Sequence, residues 1–330
     1  MPYLSTSSYT APFWLPGGHM QTMFPNLFRK KEAIGMERTR IPTSDGDEIC
    51  LDIAAVRQNK SRIAVILSHG LEGDSQRNYM LGMCRVFNGM GWDCIARNFR
   101  SCGGEMNKTP KMYHSGETDD LHAVVKHGLK LGYRHLLLVG FSMGGNQILK
   151  YLGEYPFRVP AEVRAAVTFS VPCDLPGSAA ELGKLKNAVY MRHFMKSLRQ
   201  KVRIKHELFP QLYPIKGLNR VRTFAEFDEQ YTAPIHGFAS AKDYWQRAAS
   251  LPFLKRIRIP TLLVNAANDP FLSDECSPVH IAESSPVFFL ETPKKGGHVG
   301  FTSGLGTREY WSEMRAVSFF RSTCLHRMRD

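Results

Sequence analysis

The stretch Gly140-Phe141-Ser142-Met143-Gly144-Gly145 constrains this chain more than any other. An apolar run at 136–139 precedes it, too short for a helix and suited to a buried strand. After it, Ile148, Leu149 and Leu152 fall on one helical face. The predicted order is strand, sharp turn, helix, the setting in which G-x-S-x-G forms a nucleophile elbow. Ser142 then takes a strained backbone at the tip, and side chains at 140 and 144 would collide where strand and helix cross. The turn lifts the serine hydroxyl out of the sheet and aims the Met143 amide at the same space. A glycine-rich βα turn without chemistry can show the same five residues, so the rest of the chain has to decide.

The rest keeps an α/β rhythm. Strands are predicted at 34–43 and 48–57, joined as an antiparallel hairpin by Ser44-Asp45-Gly46-Asp47. A buried strand at 62–68 ends in His69-Gly70-Leu71-Glu72-Gly73-Asp74. Helices at about 78–90 and 116–131 alternate with strands at 92–96 and 135–141, and another strand follows at 165–170. The rhythm returns with a strand at 260–265 that ends in Asn268-Asp269-Pro270. A short helix near 274–283, a strand at 287–291, the loop Gly296-Gly297-His298-Val299-Gly300 and a helix at about 308–322 complete it. Such alternation predicts one α/β domain over 1–330, with a mostly parallel sheet covered by helices on both faces. Residues 1–33 read as irregular, because Pro12, Pro16, Gly17, Gly18 and Pro25 forbid long elements.

The interval 172–250 breaks the rhythm. It is Pro-interrupted and helical in pattern, and is predicted to be an inserted cap over the C-terminal edge of the sheet. Between 183 and 223 stand Lys184, Lys186, Arg192, Lys196, Arg199, Lys201, Arg203, Lys205, Lys216, Arg220 and Arg222 against one acid, Glu207. Read plainly, that is a solvated helix face. Read sharply, it is a transient contact with a membrane surface. The whole chain carries a formal charge of +13, but no aromatic-basic motif points to nucleic acid. Seven scattered cysteines without C-x-x-C spacing suit free thiols in a reducing cytoplasm. No signal-peptide pattern or membrane-spanning run is visible, so a cytoplasmic location is expected.

A serine hydroxyl needs a base within hydrogen-bond reach, and the base needs an acid to hold its tautomer. In this architecture the chain order is Ser, acid, His. Ser142, Asp269 and His298 fit it, and all three fall at C-terminal strand ends, where open α/β sheets bind ligands. Asp274 and Asp174 are rival acids, one reading as a helix N-cap and the other opening the cap. His114, His280 and His236 are rival bases near loops, without the strand-loop placement of His298. The oxyanion hole is expected from the backbone N–H groups of Met143 and Leu71. His69 reads as structural, and its spacing to Asp74, H-x-x-x-x-D, is a weak pointer to acyl transfer. Neither a metal nor a cofactor is called for.

With these residues in view, the chain resembles the YheT-type carboxylesterase branch of the α/β-hydrolase superfamily from about 13 to 320. The resemblance rests on Gly18-His19-Met20-Gln21-Thr22, Ser68-His69-Gly70-Leu71-Glu72-Gly73, Asn98-Phe99-Arg100 and the segment Tyr113-His114-Ser115-Gly116-Glu117-Thr118-Asp119-Asp120. It continues through the serine turn, Phe227-Asp228, Ile235-His236-Gly237-Phe238, Asn268-Asp269-Pro270-Phe271 and Gly296-Gly297-His298-Val299-Gly300-Phe301. It implies a triad on Ser142, Asp269 and His298. Ser101 stands where such relatives usually carry Gly, which puts that loop's backbone conformation in question.

The expectation is a serine hydrolase of short- to medium-chain acyl esters or acylglycerols, with a small-molecule ester or lipid as substrate. Cap residues Leu182, Leu185, Val189, Tyr190 and Phe194 are candidates to line the acyl pocket. Acyl transfer from the same acyl-enzyme, phospholipase action at an anionic lipid surface, and a non-enzymatic binding role are the alternatives. A serine at the elbow argues against dehalogenase chemistry, which wants Asp there.

Overall fold

The structure is a computed structural model that describes residues 3–56, 61–304 and 306–324. Five parallel strands form its centre: β4 (Ile63–Ser68), β5 (Asp93–Arg97), β6 (His135–Phe141), β7 (Val163–Phe169) and β8 (Thr261–Val264). Before them β2 (Glu37–Pro42) and β3 (Glu48–Ala54) pair as the predicted antiparallel hairpin, and β3 joins the sheet beside β5. Residue 57, the last of the predicted second strand, lies outside the described residues. β9 (Phe288–Glu291) follows β8, and β1 (Tyr3–Leu4) closes that edge. Among the described residues the sheet order is β1-β9-β8-β7-β6-β4-β5-β3-β2.

The central strands are largely apolar because both faces are covered. Ala64, Ile66, Leu136, Leu138, Ala166 and Leu263 point to one side, where α3 (Asp119–Lys130), α4 (Met143–Glu154) and α10 (Val279–Ser284) pack. Their neighbours Val65, Leu67, Leu137, Val139, Val167 and Leu262 point to the other, against α2 (Asn78–Gly89) and α11 (Trp311–Thr323). The period of two along each strand thus splits one apolar run into two cores.

Between β7 and β8 the chain runs through α5 (Leu175–Gly183), α6 (Ala188–Leu208), α7 (Phe224–Phe227), a π-helical turn (Asp228–Thr232), α8 (Ala233–His236) and α9 (Ala241–Ala248). Met191, Met195, Leu198, Val202, Tyr213, Phe227 and Tyr231 give this stretch its own apolar cluster. Its charges are not simply a solvated face. Lys205 is fully buried and donates to the carbonyls of Asn107 and Thr109, and burial pulls its ammonium down to about 8. Lys201 forms a buried ion pair with Glu72 at 2.7 Å. Lys184 and Lys186 both pair with Glu181.

The N-terminal reading needs correction. Gly18–Phe28 is a helix, α1, with Pro25 inside it. A proline there removes one helical hydrogen bond and costs about 3 kcal/mol. The helix persists because its inner face is tethered to loops far along the chain. β1 escaped the sequence because two residues carry no periodicity. Ser101 takes the left-handed conformation a glycine would, at φ 61°, with its hydroxyl donating to Asn107. No helix among the described residues is long and apolar enough to cross a membrane.

A tight constraint lies where α4 crosses the end of β4. A Cβ on Gly144 would stand 2.4 Å from the His69 carbonyl oxygen and 2.5 Å from that of Ser68, and backbone cannot step aside. Gly144→Ala is expected to cost about 3 kcal/mol. Urea unfolding of the two proteins reads this as a lower midpoint at an unchanged slope.

Candidate active site

The elbow forms as the glycines dictate. Ser142 sits at φ 52° and ψ −120°, between β6 and the first turn of α4. Its amide donates to the Phe169 carbonyl at 2.8 Å, which pins the strained residue to β7. Ser142 Oγ lies 2.9 Å from His298 Nε2. On the far side of the ring, Nδ1 lies 2.8 Å from Asp269 Oδ2 and 3.1 Å from Oδ1. Asp269 Oδ1 also accepts from the Phe271 amide at 2.9 Å, so the carboxylate is held from two directions. The Phe271 ring packs on the imidazole at 4.3 Å between centroids. The three residues singled out in the sequence therefore share one hydrogen-bonded chain.

The rivals lie elsewhere. Asp174 accepts from Ser273 Oγ at 2.8 Å and stands at the N-cap position of α5, where its side chain makes no capping bond. Asp274 is exposed, and the N-cap of its short turn is Ser273 rather than Asp274 itself. His280 is exposed. His114 and His236 line the same cavity as Ser142, with rings 4.6 Å apart. Burial, and then the charge of His114, pull His236 down to about 2 and keep it neutral.

Leu71 and Met143 both border the space beside Ser142. A Cβ on Gly70 would come within 3.2 Å of Ser142 Cβ, so the glycine lets this loop approach the serine. Met143 opens α4, where an N–H has no partner inside the helix. Among the described residues, neither the Leu71 nor the Met143 amide has a hydrogen-bond acceptor. His69 is wholly buried; Nδ1 donates to the Gly70 carbonyl at 2.7 Å, and Nε2 accepts from the Phe99 amide at 3.1 Å. Burial lowers it to about 3, so it is a neutral strut of the loop. Glu72, at φ 54°, ties the loop to α6 by accepting from Lys201, Ser197 and Tyr113.

Sequence reasoning missed the supports of the histidine loop. Gln21 of α1 is fully buried, and its Oε1 accepts from the Gly296 amide at 2.7 Å and from Asn268 Nδ2 at 3.0 Å. Asn268 Oδ1 accepts from the Gly297 amide at 3.0 Å, and Thr22 Oγ1 from the His298 amide at 2.8 Å. Ser170 Oγ accepts from Val299 at 2.8 Å. Four consecutive amides are thus held by side chains, two of them from one turn of α1. The available signal was a polar pair, Gln21-Thr22, between the apolar residues Met20 and Met23.

The cavity has a volume of about 520 Å³. Leu175, Leu182, Phe194, Leu198, Phe224 and Ile235 supply much of its apolar wall. Leu182, Val189, Tyr190 and Phe194 line it as expected, but Leu185 does not and is almost wholly exposed. Asp228 gives the wall a polar point, accepting from Thr232 Oγ1 at 2.6 Å and Trp245 Nε1 at 2.8 Å. Among the described residues no three His, Cys, Asp or Glu side chains gather as metal ligands would.

With this geometry established, comparison with known proteins adds the lineage. A family model described as the alpha/beta hydrolase fold matches residues 63–305. The chain belongs to that family. YheT of Escherichia coli (strain K12), named as an esterase, is 34% identical over 90% of this chain and 88% of its own. The phospholipase ABHD3 of Homo sapiens is 29% identical, over 92% of this chain and 76% of its own. Among solved structures, an esterase of Pyrococcus furiosus shares the fold with a TM-score of 0.59 at 19% identity, over 88% of this chain and 91% of that one.

Two outcomes follow from this α/β-hydrolase site. Thr22→Val removes the acceptor of the His298 amide without changing side-chain shape. Ester turnover is expected to fall by on the order of 10²-fold, mostly in kcat, as positioned groups lose alignment. An unchanged kcat would assign Thr22 to packing alone. Asp228 is the second case: burial raises its carboxyl from 3.8 to about 6. The folded chain therefore holds that proton more tightly than the unfolded one, and stability is fullest below 3.8 and declines as pH rises to about 6. Asp228→Asn should match the wild type at pH 4 and exceed it at pH 8, by up to about 3 kcal/mol in urea unfolding.

Proposed function

We propose that the chain hydrolyses carboxylic esters through an acyl-enzyme on Ser142. The observation that carries this reading is the Ser142–His298–Asp269 hydrogen-bonded chain opening on a largely apolar cavity. The chain is a carboxylic ester hydrolase, a reading its esterase and phospholipase relatives support.

Ser142 Oγ attacks the ester carbonyl as His298 Nε2 takes its proton. Asp269 holds the imidazole with Nδ1 as donor and stabilises the imidazolium. The carbonyl oxygen gathers negative charge between the Leu71 and Met143 N–H groups, each worth on the order of 3 kcal/mol in the transition state. His298 then protonates the departing alkoxide. A water molecule, activated by the same nitrogen, attacks the acyl carbon and returns Ser142 to its hydroxyl form.

The stretch 172–250 is the cap of this enzyme, and its apolar side chains, with α1, shape the acyl pocket. An acylglycerol or other lipid ester of short to medium chain suits such a wall. Acyl transfer draws no help from the H-x-x-x-x-D spacing, because both ring nitrogens of His69 are engaged and Asp74 caps its own turn toward Gln76.

The test is hydrolysis of p-nitrophenyl esters from short to long chains by the wild type and Ser142→Ala. Rates should peak at one length and fall by on the order of 10⁵-fold or more in the variant. A fluorophosphonate should label the wild type at Ser142 alone. Activity that survives in Ser142→Ala would remove the serine from the mechanism.

A further inference from the structure

The outer face of α1 inverts the usual order of a surface helix. Its buried side holds Gln21 and Thr22 beside Phe24 and Pro25. Met20, Met23 and Leu27, spaced i, i+3 and i+7, stand together in solvent. Phe13 and Phe28 are exposed nearby. The approach to α6 repeats the pattern, with Leu185 91% and Val189 69% exposed. The two elements touch: His19 Nδ1 lies 3.2 Å from Tyr190 Oη, and the rings stack. Met23, Leu27 and Val189 also line the cavity that holds Ser142. Exposed apolar side chains therefore frame the mouth of the pocket from both sides.

A frame of this kind marks an interaction surface. Charge identifies the partner. Lys30 and Lys31 follow α1, Arg192 and Lys196 stand on α6, and all four are exposed. None of the four has an acidic partner among the described residues. Two acids close to these cations in sequence are already engaged: Glu181 holds Lys184 and Lys186, and Glu32 holds Arg85 and Arg308.

We propose that α1 and the start of α6 dock the protein on an anionic lipid surface, with the pocket mouth facing the bilayer. The apolar frame enters the boundary between headgroups and acyl chains, and the four cations meet lipid phosphates. A lipid ester then passes from the bilayer to Ser142 between Met23, Leu27 and Val189 without crossing water. A protein seated on the same face would close the mouth it surrounds. The proposal rests on the reading of this cavity as an ester-hydrolase site. It also moves the membrane contact from the whole basic run 183–223 to the cavity mouth.

The experiment uses the full chain, with vesicles of phosphatidylcholine alone and of phosphatidylcholine and phosphatidylglycerol in equal parts, at low salt. Two variants accompany it, Met20→Glu with Leu185→Glu, and charge reversal at Lys30, Lys31, Arg192 and Lys196. Sedimentation should show the wild type retained by the mixed vesicles at least about tenfold better than by phosphatidylcholine alone, with retention lost on adding salt. Both variants should lose that retention while hydrolysing a water-soluble short-chain p-nitrophenyl ester at the wild-type rate. Equal retention of the variants and the wild type, or equal retention on the two vesicle types, overturns the proposal. So does a variant that changes the oligomeric state by light scattering, since the face would then join copies of this chain. Ester turnover without vesicle retention defeats docking alone. Retention without turnover of any ester defeats the hydrolase reading and leaves docking standing.

Discussion

Three backbones meet at the serine, and the rest of the structure is arranged to let them. Strand β6 turns into α4 at a residue held at positive φ, while the end of β4 presses against the first turn of that helix. Gly140, Gly144 and Gly145 have no room for a side chain: a Cβ would fall within 2.7 Å of Gly144 O, 2.4 Å of His69 O and 2.5 Å of Val171 Cγ2, respectively. Close packing at this point places Leu71, Met143 and Ser142 around one small volume. Asn146 then extends the order outward, donating to the Ser115 and Ala248 carbonyls and accepting from the Ser250 amide. The strained residue is thus surrounded by contacts that leave it no relaxed alternative.

A second tie joins the β4–α2 loop to the helices above it. Glu72 is nearly buried, yet its carboxylate is met by Lys201, Ser197 and Tyr113. Breaking such a pair strands a charge away from water, which costs more than the pair itself contributes. α6 is therefore fastened to the loop that carries the Leu71 amide. Any shift of α6 over the cavity is felt one residue from the Leu71 amide.

What was legible in the sequence follows from locality. Strands at the centre are largely apolar runs, and Ser142, Asp269 and His298 fall in the turn or loop after three of them, so order and placement singled them out. The hairpin declared itself through its Asp-Gly turn. The helix α1 did not, because local propensity argues against Pro25 and the forces that hold it come from residues 247 to 276 positions away. The charges of α6 misled for the same reason. Lys201 and Lys205 look like their exposed neighbours until Glu72 and the Asn107 and Thr109 carbonyls are brought across from elsewhere in the chain. Ser101 shows a milder case: a residue that does not favour the left-handed region adopts it when a neighbouring amide rewards it.

The support given by α1 also sets an order of assembly. Gln21 and Thr22 leave the ribosome early, but the amides they hold belong to residues 296 and 298. Until residues 296–298 have been made, the growing chain carries Ser142 without its His298 partner, and α1 without the contacts that offset its proline. Contacts this distant in sequence form late. The hydrogen-bonded chain from Ser142 to Asp269 is therefore open until the 296–300 loop arrives, and a chain that stops short of that loop cannot close it.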